Sequence, residues 1–254
     1  MNFFMLKNSF SFHNFNLHHV FNVASTRSWQ SINPFTSYKA ILWIAEGLNI
    51  PQKEEQIAKR IVFAEQVHEG NVHICNPGDE GSIRLGVDAL ISNVPSQILG
   101  IYTSDCIPLI LYDPQNRVIG AIHAGYKSLA KGIISNCVES FNSSFNSPPA
   151  NIIVGIGPFI HVCCYEIRED ILGFIDNLNW LTYVNKKSNQ MFLDLNAILY
   201  EQLTACGILS SNIENMEMCT ACRSDIFFSA RKRKPDDERG AAIISLISLN
   251  NDIL

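Results

Sequence analysis

Residues 97–125 read QILGIYTSDCIPLILYDPQNRVIGAIHAG. Two aliphatic runs flank one break, Asp113-Pro114-Gln115-Asn116, in which every residue type favours a turn. The stretch predicts an antiparallel hairpin. A symmetric turn at 113–116 pairs residues whose numbers sum to 229, and Cys106 and His123 meet that condition. Directly opposed residues share a face with Cα atoms about 4.5 to 5.5 Å apart, so thiol and imidazole become neighbours. A slip of one residue would separate them. The pair suits a metal site or a nucleophile with its base.

Working outward, residues 60–67 and 71–75 read as strands with Glu69-Gly70 as a turn between them, residues 128–144 as a helix, and residues 151–158 as a buried strand. A helix from Arg168, a strand over 191–195, a helix over 196–206 stopped by Gly207, and a strand over 241–247 follow. Residues 39–49 (KAILWIAEGLN) and 54–59 carry helical spacing. Strands and helices are mixed and at least one hairpin is present, so the pattern predicts an α/β or α+β fold with mixed sheets. No repeat or linker divides the 254 residues. A chain of this length buries roughly 73% of its extended surface, enough for one domain with a full core.

The chain has 19 Lys+Arg against 24 Asp+Glu, a net charge of −5. That balance gives no cationic field for polyphosphate backbones, which argues against nucleic acid as a partner. The first 25 residues interrupt their apolar positions with Asn, Ser and His, unlike a signal peptide, and no apolar run approaches the roughly 20 residues of a membrane span. The expected location is the cytoplasm, without membrane attachment. Eight cysteines are too few for a secreted disulfide scaffold and read as reduced thiols.

A third donor for the Cys106–His123 pair is offered by His68 or His73, on either side of the Glu69-Gly70 turn, and spacing alone leaves both open. Two His and one Cys make the ligand count of a catalytic zinc that keeps one position open for water. Asp105, beside the cysteine, is a candidate for orienting a ligand or transferring a proton. Cys219-Thr220-Ala221-Cys222 is a CxxC, but a structural zinc needs a second pair of matching spacing, which adjacent Cys163-Cys164 does not offer; packing thiols are the expectation. Arg231-Lys232-Arg233-Lys234 follows the apolar anchor Phe227-Phe228-Ser229, so Arg231 is placed to face a pocket and grip a phosphate.

Several segments together resemble the YfiH-type, FAMIN-like family, variously labelled purine nucleoside phosphorylase, multicopper polyphenol oxidase and peptidoglycan editing factor. They are Gln66-Val67-His68, Asp88-Ala89-Leu90-Ile91-Ser92, Ser104-Asp105-Cys106-Ile107-Pro108-Leu109, His123-Ala124-Gly125, Ile156-Gly157-Pro158, Cys163-Cys164-Tyr165-Glu166, Asp194-Leu195, Cys219-Thr220, Phe227-Phe228-Ser229 and Arg239-Gly240. Order and spacing agree over about residues 60 to 245. The resemblance implies one domain, a four-layer α/β/β/α sandwich with mixed sheets, and zinc ligands on His68, Cys106 and His123. It implies phosphorolysis of adenosine, inosine and methylthioadenosine, with adenosine deamination beside it. Purine nucleosides and inorganic phosphate are then the partners, with a homodimer as a compatible assembly. Lys127, Arg231 and Arg239 are the cations offered to phosphate. The family's His-Ala-Gly-Trp-Arg-Gly reads here His123-Ala124-Gly125-Tyr126-Lys127-Ser128, so the aromatic and the cation persist without the bidentate guanidinium. Thr26-Arg27 is followed by Ser28-Trp29 where the family has glycines.

The same residues suit other functions. A metal-free Cys106 nucleophile with His123 as base would make a cysteine hydrolase or amidase editing peptidoglycan precursors. Copper at the same N/S ligands is chemically favourable, but the seven histidines include no His-x-His pair for a multicopper cluster. A non-catalytic nucleoside-binding protein is the third class.

Overall fold

The computed structural model describes residues 3–6, 9–12, 20–25, 59–232 and 239–246. The helices expected over 39–49 and 54–59 lie outside these residues, apart from Lys59. Among the described residues a seven-stranded sheet runs in the order β1 (Phe3–Leu6), β2 (Ser9–Phe12), β3 (Val20–Ser25), β16 (Gly240–Leu246), β8 (Ile98–Thr103), β4 (Ile61–Ala64), β6 (Ser82–Arg84). It is antiparallel from β1 to β8 and parallel from β8 to β6. A six-stranded sheet runs β15 (Ile213–Asn215), β11 (Ile153–Ile156), β9 (Ile107–Asp113), β10 (Val118–Ala124), β7 (Ala89–Ser92), β5 (Val72–Ile74), again mixed.

The two sheets face each other. Phe12, Val62, Leu99 and Ile244 of the first interleave with Leu90, Ile110, Ile119 and Ala121 of the second in one buried cluster. The other face of the six-stranded sheet packs Ile91, Leu109, Leu111 and Ile122 against α2 (Ile133–Phe145) and α4 (Leu195–Ala205). Every residue of β8, β9 and β10 is buried, which is why residues 97–125 carry apolar runs without alternation. Mixed sheets in a single α/β domain are as the sequence implied.

The hairpin register differs from the symmetric expectation. His123 pairs with Pro108 and Val118 with Asp113, so paired numbers sum to 231. Asp113 is buried and turns the chain: its carboxylate accepts from the Gln115 amide at 2.9 Å and from Asn116 Nδ2 at 2.8 Å, and Arg117 adopts φ 54°. The turn therefore takes four residues, 114–117, rather than two. A slip of two keeps side-chain parity, so Cys106, just before β9, remains on the His123 face as a diagonal neighbour.

Two further expectations are corrected. Residues 60–67 and 71–75 are not partners across a Glu69-Gly70 turn: β4 belongs to one sheet and β5 to the other. Positive φ at Gln66 and His68 redirects the chain between them. The helix expected over 128–144 is two, α1 (Tyr126–Ala130) and α2, separated where Gly132 takes φ 75°. Downstream, α3 (Glu169–Asp176) starts at Arg168 as expected, and α4 begins where the Asp194 side chain accepts from the Ala197 amide at 3.0 Å. β12 (Glu166–Ile167), β13 (Val184–Lys187) and β14 (Gln190–Leu193) form a small third sheet.

Candidate metal centre and its cavity

The connection from β8 to β9 carries the chain from one sheet to the other, and Cys106 sits on it. His123 comes from the end of β10, and His68 from the turn leaving β4. Their ligand atoms all lie within 4.8 Å of one another, with His68 Nε2 at 3.8 Å from Cys106 Sγ. The two imidazoles meet edge to face at 4.7 Å between ring centres. Gly125 makes the approach possible: a Cβ there would stand 3.1 Å from both Cys106 Sγ and His68 Cδ2.

Asp88 organises the group. It precedes β7, whose first residue pairs with Ile122, and it is fully buried. Its Oδ1 accepts from His123 Nδ1 at 2.8 Å and from the His68 amide at 3.0 Å, and its Oδ2 accepts from the Glu69 amide at 2.8 Å. His123 Nδ1 therefore carries the proton, and Nε2 is left for the cluster. The same carboxylate holds His68 at φ 61°, while Gln66 at φ 66° is tied to β8 by two hydrogen bonds with Tyr102. Left-handed backbone at three non-glycine residues here, Gln66, His68 and Asp105, stores strain that these bonds hold in place. Burial pushes the Asp88 carboxyl up, but hydrogen bonds from His123, Glu69 and His68 hold it below the usual range.

Burial also pushes the Cys106 thiol up, yet the adjacent His123 charge and hydrogen bonds from both histidines outweigh it and bring the thiol to about 6. Burial pushes His123 down, while the Cys106 thiolate and Asp88 raise it to about 9. Both shifts favour a thiolate–imidazolium pair near neutral pH when no metal is bound. The donor set of two imidazole nitrogens and one thiolate, with a carboxylate behind one imidazole, fits a zinc or copper ion.

The cluster forms one wall of a cavity of about 320 Å³, at the small end of the range of about 300 to 1,000 Å³ for small-molecule sites. Tyr102, Ser104, Tyr165, Arg231 and Arg239 line the rest. The Arg231 guanidinium lies 5.1 Å from the Tyr165 ring centre. Tyr102 Oη and Ser104 Oγ are buried and have no hydrogen-bond partner among the described residues.

Asp105 is buried at the cavity edge, accepting from Thr220 Oγ1 at 2.5 Å and from the Arg231 amide at 2.9 Å. Lys127 is exposed over the Tyr126 ring and is absent from the cavity lining. His73 is elsewhere, paired with Asp79 at 2.8 Å in a cluster with Cys75. Sequence reasoning gave Asp88 no role, although an aspartate heading the fully apolar run Ala89-Leu90-Ile91 is a charge at the mouth of a core strand. It also did not bring Cys163 and Cys164 to the CxxC: 55 or more residues away in sequence, they have their Sγ atoms within 4.8 Å of those of Cys219 and Cys222.

The profile of a family described as multi-copper polyphenol oxidoreductase laccase matches residues 25–249. Purine nucleoside phosphorylase YlmD of Geobacillus stearothermophilus is 26% identical over 247 residues, covering 89% of each chain. Adenosine deaminase RL5, from an unknown prokaryotic organism, is 29% identical over 151 residues, 58% of this chain and 57% of that one. The crystal structure of the Bacillus licheniformis hypothetical protein YfiH superimposes with a TM-score of 0.83 at 25% identity, over 96% of this chain and 98% of that one. With its two mixed sheets and the histidine–cysteine cluster at their crossing, the chain belongs to this laccase-named family, the YfiH family of enzymes.

Proposed function

We propose that the chain is a zinc-dependent purine nucleoside phosphorylase acting on adenosine, inosine and methylthioadenosine, with adenosine deamination as a side activity. The observation that carries this reading is the convergence of His68, Cys106 and His123 on one cavity that also presents two arginines and three tyrosines. Phosphorylase and deaminase names among the relatives support it. His68, Cys106 and His123 would hold the zinc, and Asp88 would orient His123. When bound, zinc supplies Lewis-acid polarisation and activation of water at neutral pH.

The chain's own residues do the rest. In phosphorolysis a phosphate oxygen bonds to ribose C1′ as the bond to the purine nitrogen breaks, and the purine leaves with the electron pair and takes up a proton. Arg231 and Arg239 hold the phosphate dianion in line with C1′. Tyr102 Oη and Ser104 Oγ, which lack other partners among the described residues, hydrogen-bond the nucleoside's polar edge. Asp105 acts as a positioning residue, fixing the Arg231 backbone.

The test is chromatographic: inosine plus phosphate yields hypoxanthine and ribose 1-phosphate, and the Cys106→Ala variant yields neither. Absence of turnover by metal-replete protein overturns the proposal. One observation favours a second reading, a cysteine nucleophile: Cys106 Sγ lies within 4.8 Å of a His123 ring nitrogen, and that imidazole lowers the thiol despite its burial. Activity that survives chelation and is destroyed by rapid iodoacetamide labelling of Cys106 would establish that reading instead.

A further inference from the structure

The second cysteine cluster lies outside the cavity and the proposed chemistry uses none of it. Cys163 and Cys164 sit in the loop that follows β11, and Cys219 and Cys222 in the loop that follows β15. Parallel pairing of β11 with β15 brings the two loops side by side, and a further bridge joins Phe159 to Cys219. The Phe159 amide donates to the Met218 carbonyl at 3.2 Å, and the Thr220 amide donates back to the Phe159 carbonyl at 2.9 Å. A tight turn, in which the Cys164 and Tyr165 amides both donate to the His161 carbonyl at 2.9 Å, then presents Cys163 and Cys164 to the CxxC.

Four sulfurs meet there. All lie within 4.8 Å of one another, and those of Cys163 and Cys164 are each 3.4 Å from Cys222 Sγ. A tetrahedral zinc with bonds of about 2.3 Å to sulfur has sulfur–sulfur edges of about 3.8 Å. A disulfide would need about 2.05 Å, and all four cysteines are free thiols. Around Cys219 the backbone is arranged for a thiolate: the His161 amide donates to its Sγ at 3.4 Å, and the amides of Ala221 and Cys222 point to the same sulfur. Amide donors of this kind orient and stabilise a metal-bound sulfur. Cys163 and Cys222 are exposed while Cys219 is buried, which gives an ion a way in from solvent and a fixed seat beneath.

We propose that Cys163, Cys164, Cys219 and Cys222 form a tetrathiolate site for one zinc ion, separate from the histidine–cysteine centre. Four protein ligands leave no open position, so the site is structural rather than catalytic. It joins loop 157–165 to loop 216–223. These loops also make the back wall of the cavity: Thr220 donates to the Asp105 carboxylate, the Ile160 amide donates to the Asp105 carbonyl at 2.9 Å, and Ile160 and Tyr165 line the cavity. Zinc in this position would stiffen the wall that faces Cys106.

The experiment is metal analysis and cobalt substitution of the full-length protein purified under reducing conditions. Wild type is expected to hold two zinc ions per chain, and both Cys106→Ala and the double variant Cys163→Ser/Cys222→Ser one each. Cys106→Ala keeps the four-cysteine cluster whole, so it isolates the new site even if the double variant fails to fold. Titrated with cobalt(II), Cys106→Ala should take one equivalent and develop intense near-ultraviolet sulfur-to-cobalt charge transfer with tetrahedral visible bands. If it binds no cobalt while wild type binds one equivalent, the new site is overturned and the histidine–cysteine centre stands; the converse sinks that centre alone. A Cys163–Cys222 or Cys164–Cys222 disulfide in peptide maps of the reduced preparation also overturns the proposal.

Discussion

Replacing Asp88 by asparagine tests the organisation of the histidine–cysteine centre with almost no change of shape. An amide oxygen in the place of Oδ1 keeps the bonds from His123 Nδ1 and the His68 amide, but the amide NH2 then faces the Glu69 amide, donor against donor. Leaving one such buried group unsatisfied costs about 1 to 3 kcal/mol. For a chain of this size that lowers Tm by about 2 to 12 °C. The second effect is on the metal: losing the carboxylate behind a ligating imidazole weakens binding typically by about 10- to 100-fold. Zinc affinity is read by competition with a chromophoric chelator, and stability by thermal unfolding of the metal-stripped protein. Asp79→Asn, which disturbs the His73 and Arg84 contacts away from the cavity, serves as the control and should leave zinc affinity at this centre unchanged. A normal drop in Tm with zinc affinity within about twofold of wild type would refute the assignment of His123 as a ligand oriented by Asp88.

Three further outcomes are expected. Gly125→Ala pushes a methyl against Cys106 and His68 and should weaken zinc binding about tenfold while secondary structure by circular dichroism stays intact. Arg231→Ala should raise KM for phosphate about tenfold or more, the scale of one lost charged hydrogen bond, whereas Lys127→Ala, outside the cavity lining, should leave it within about twofold, both by steady-state kinetics. In metal-stripped protein Cys106 already ionises at about pH 6, so its alkylation rate should be flat above that pH and fall below it, and zinc should suppress it. Peptide mapping across pH reads this directly, and a midpoint near the ordinary thiol value of about 8.5 would contradict it.

Much of the fold was legible because burial on both faces leaves a direct mark on composition: β9 and β10 appear in the sequence as uninterrupted aliphatic runs with turn residues between them. The Cys106–His123 proximity came from hairpin arithmetic whose error was an even number and so harmless to side-chain facing. The error arose because Asp113 caps a four-residue loop through its own carboxylate, which residue types alone do not distinguish from a two-residue turn. Two things were not legible. Gln66 and His68 adopt left-handed backbone, which is uncommon for any non-glycine residue, so the separation of β4 and β5 into different sheets left no local sign. The four-cysteine cluster depends on parallel pairing of β11 with β15, a contact between strands some 60 residues apart, and spacing rules for metal motifs assume that each pair comes from one local turn.

The hairpin also decides how freely its own loop can vary in length. Cys106 and His123 ride on opposite arms of β9 and β10, and those arms are locked into the middle of a sheet by β11 on one side and β7 on the other. A one-residue slip of either arm would turn every buried side chain on it to the opposite surface and break its pairing with β11 or β7, so a residue added to or deleted from 114–117 is taken up by the tip itself. Edits of either parity at this tip, more than 20 Å of extended strand from the cluster at about 3.3 Å per residue, should therefore leave zinc binding at the centre intact.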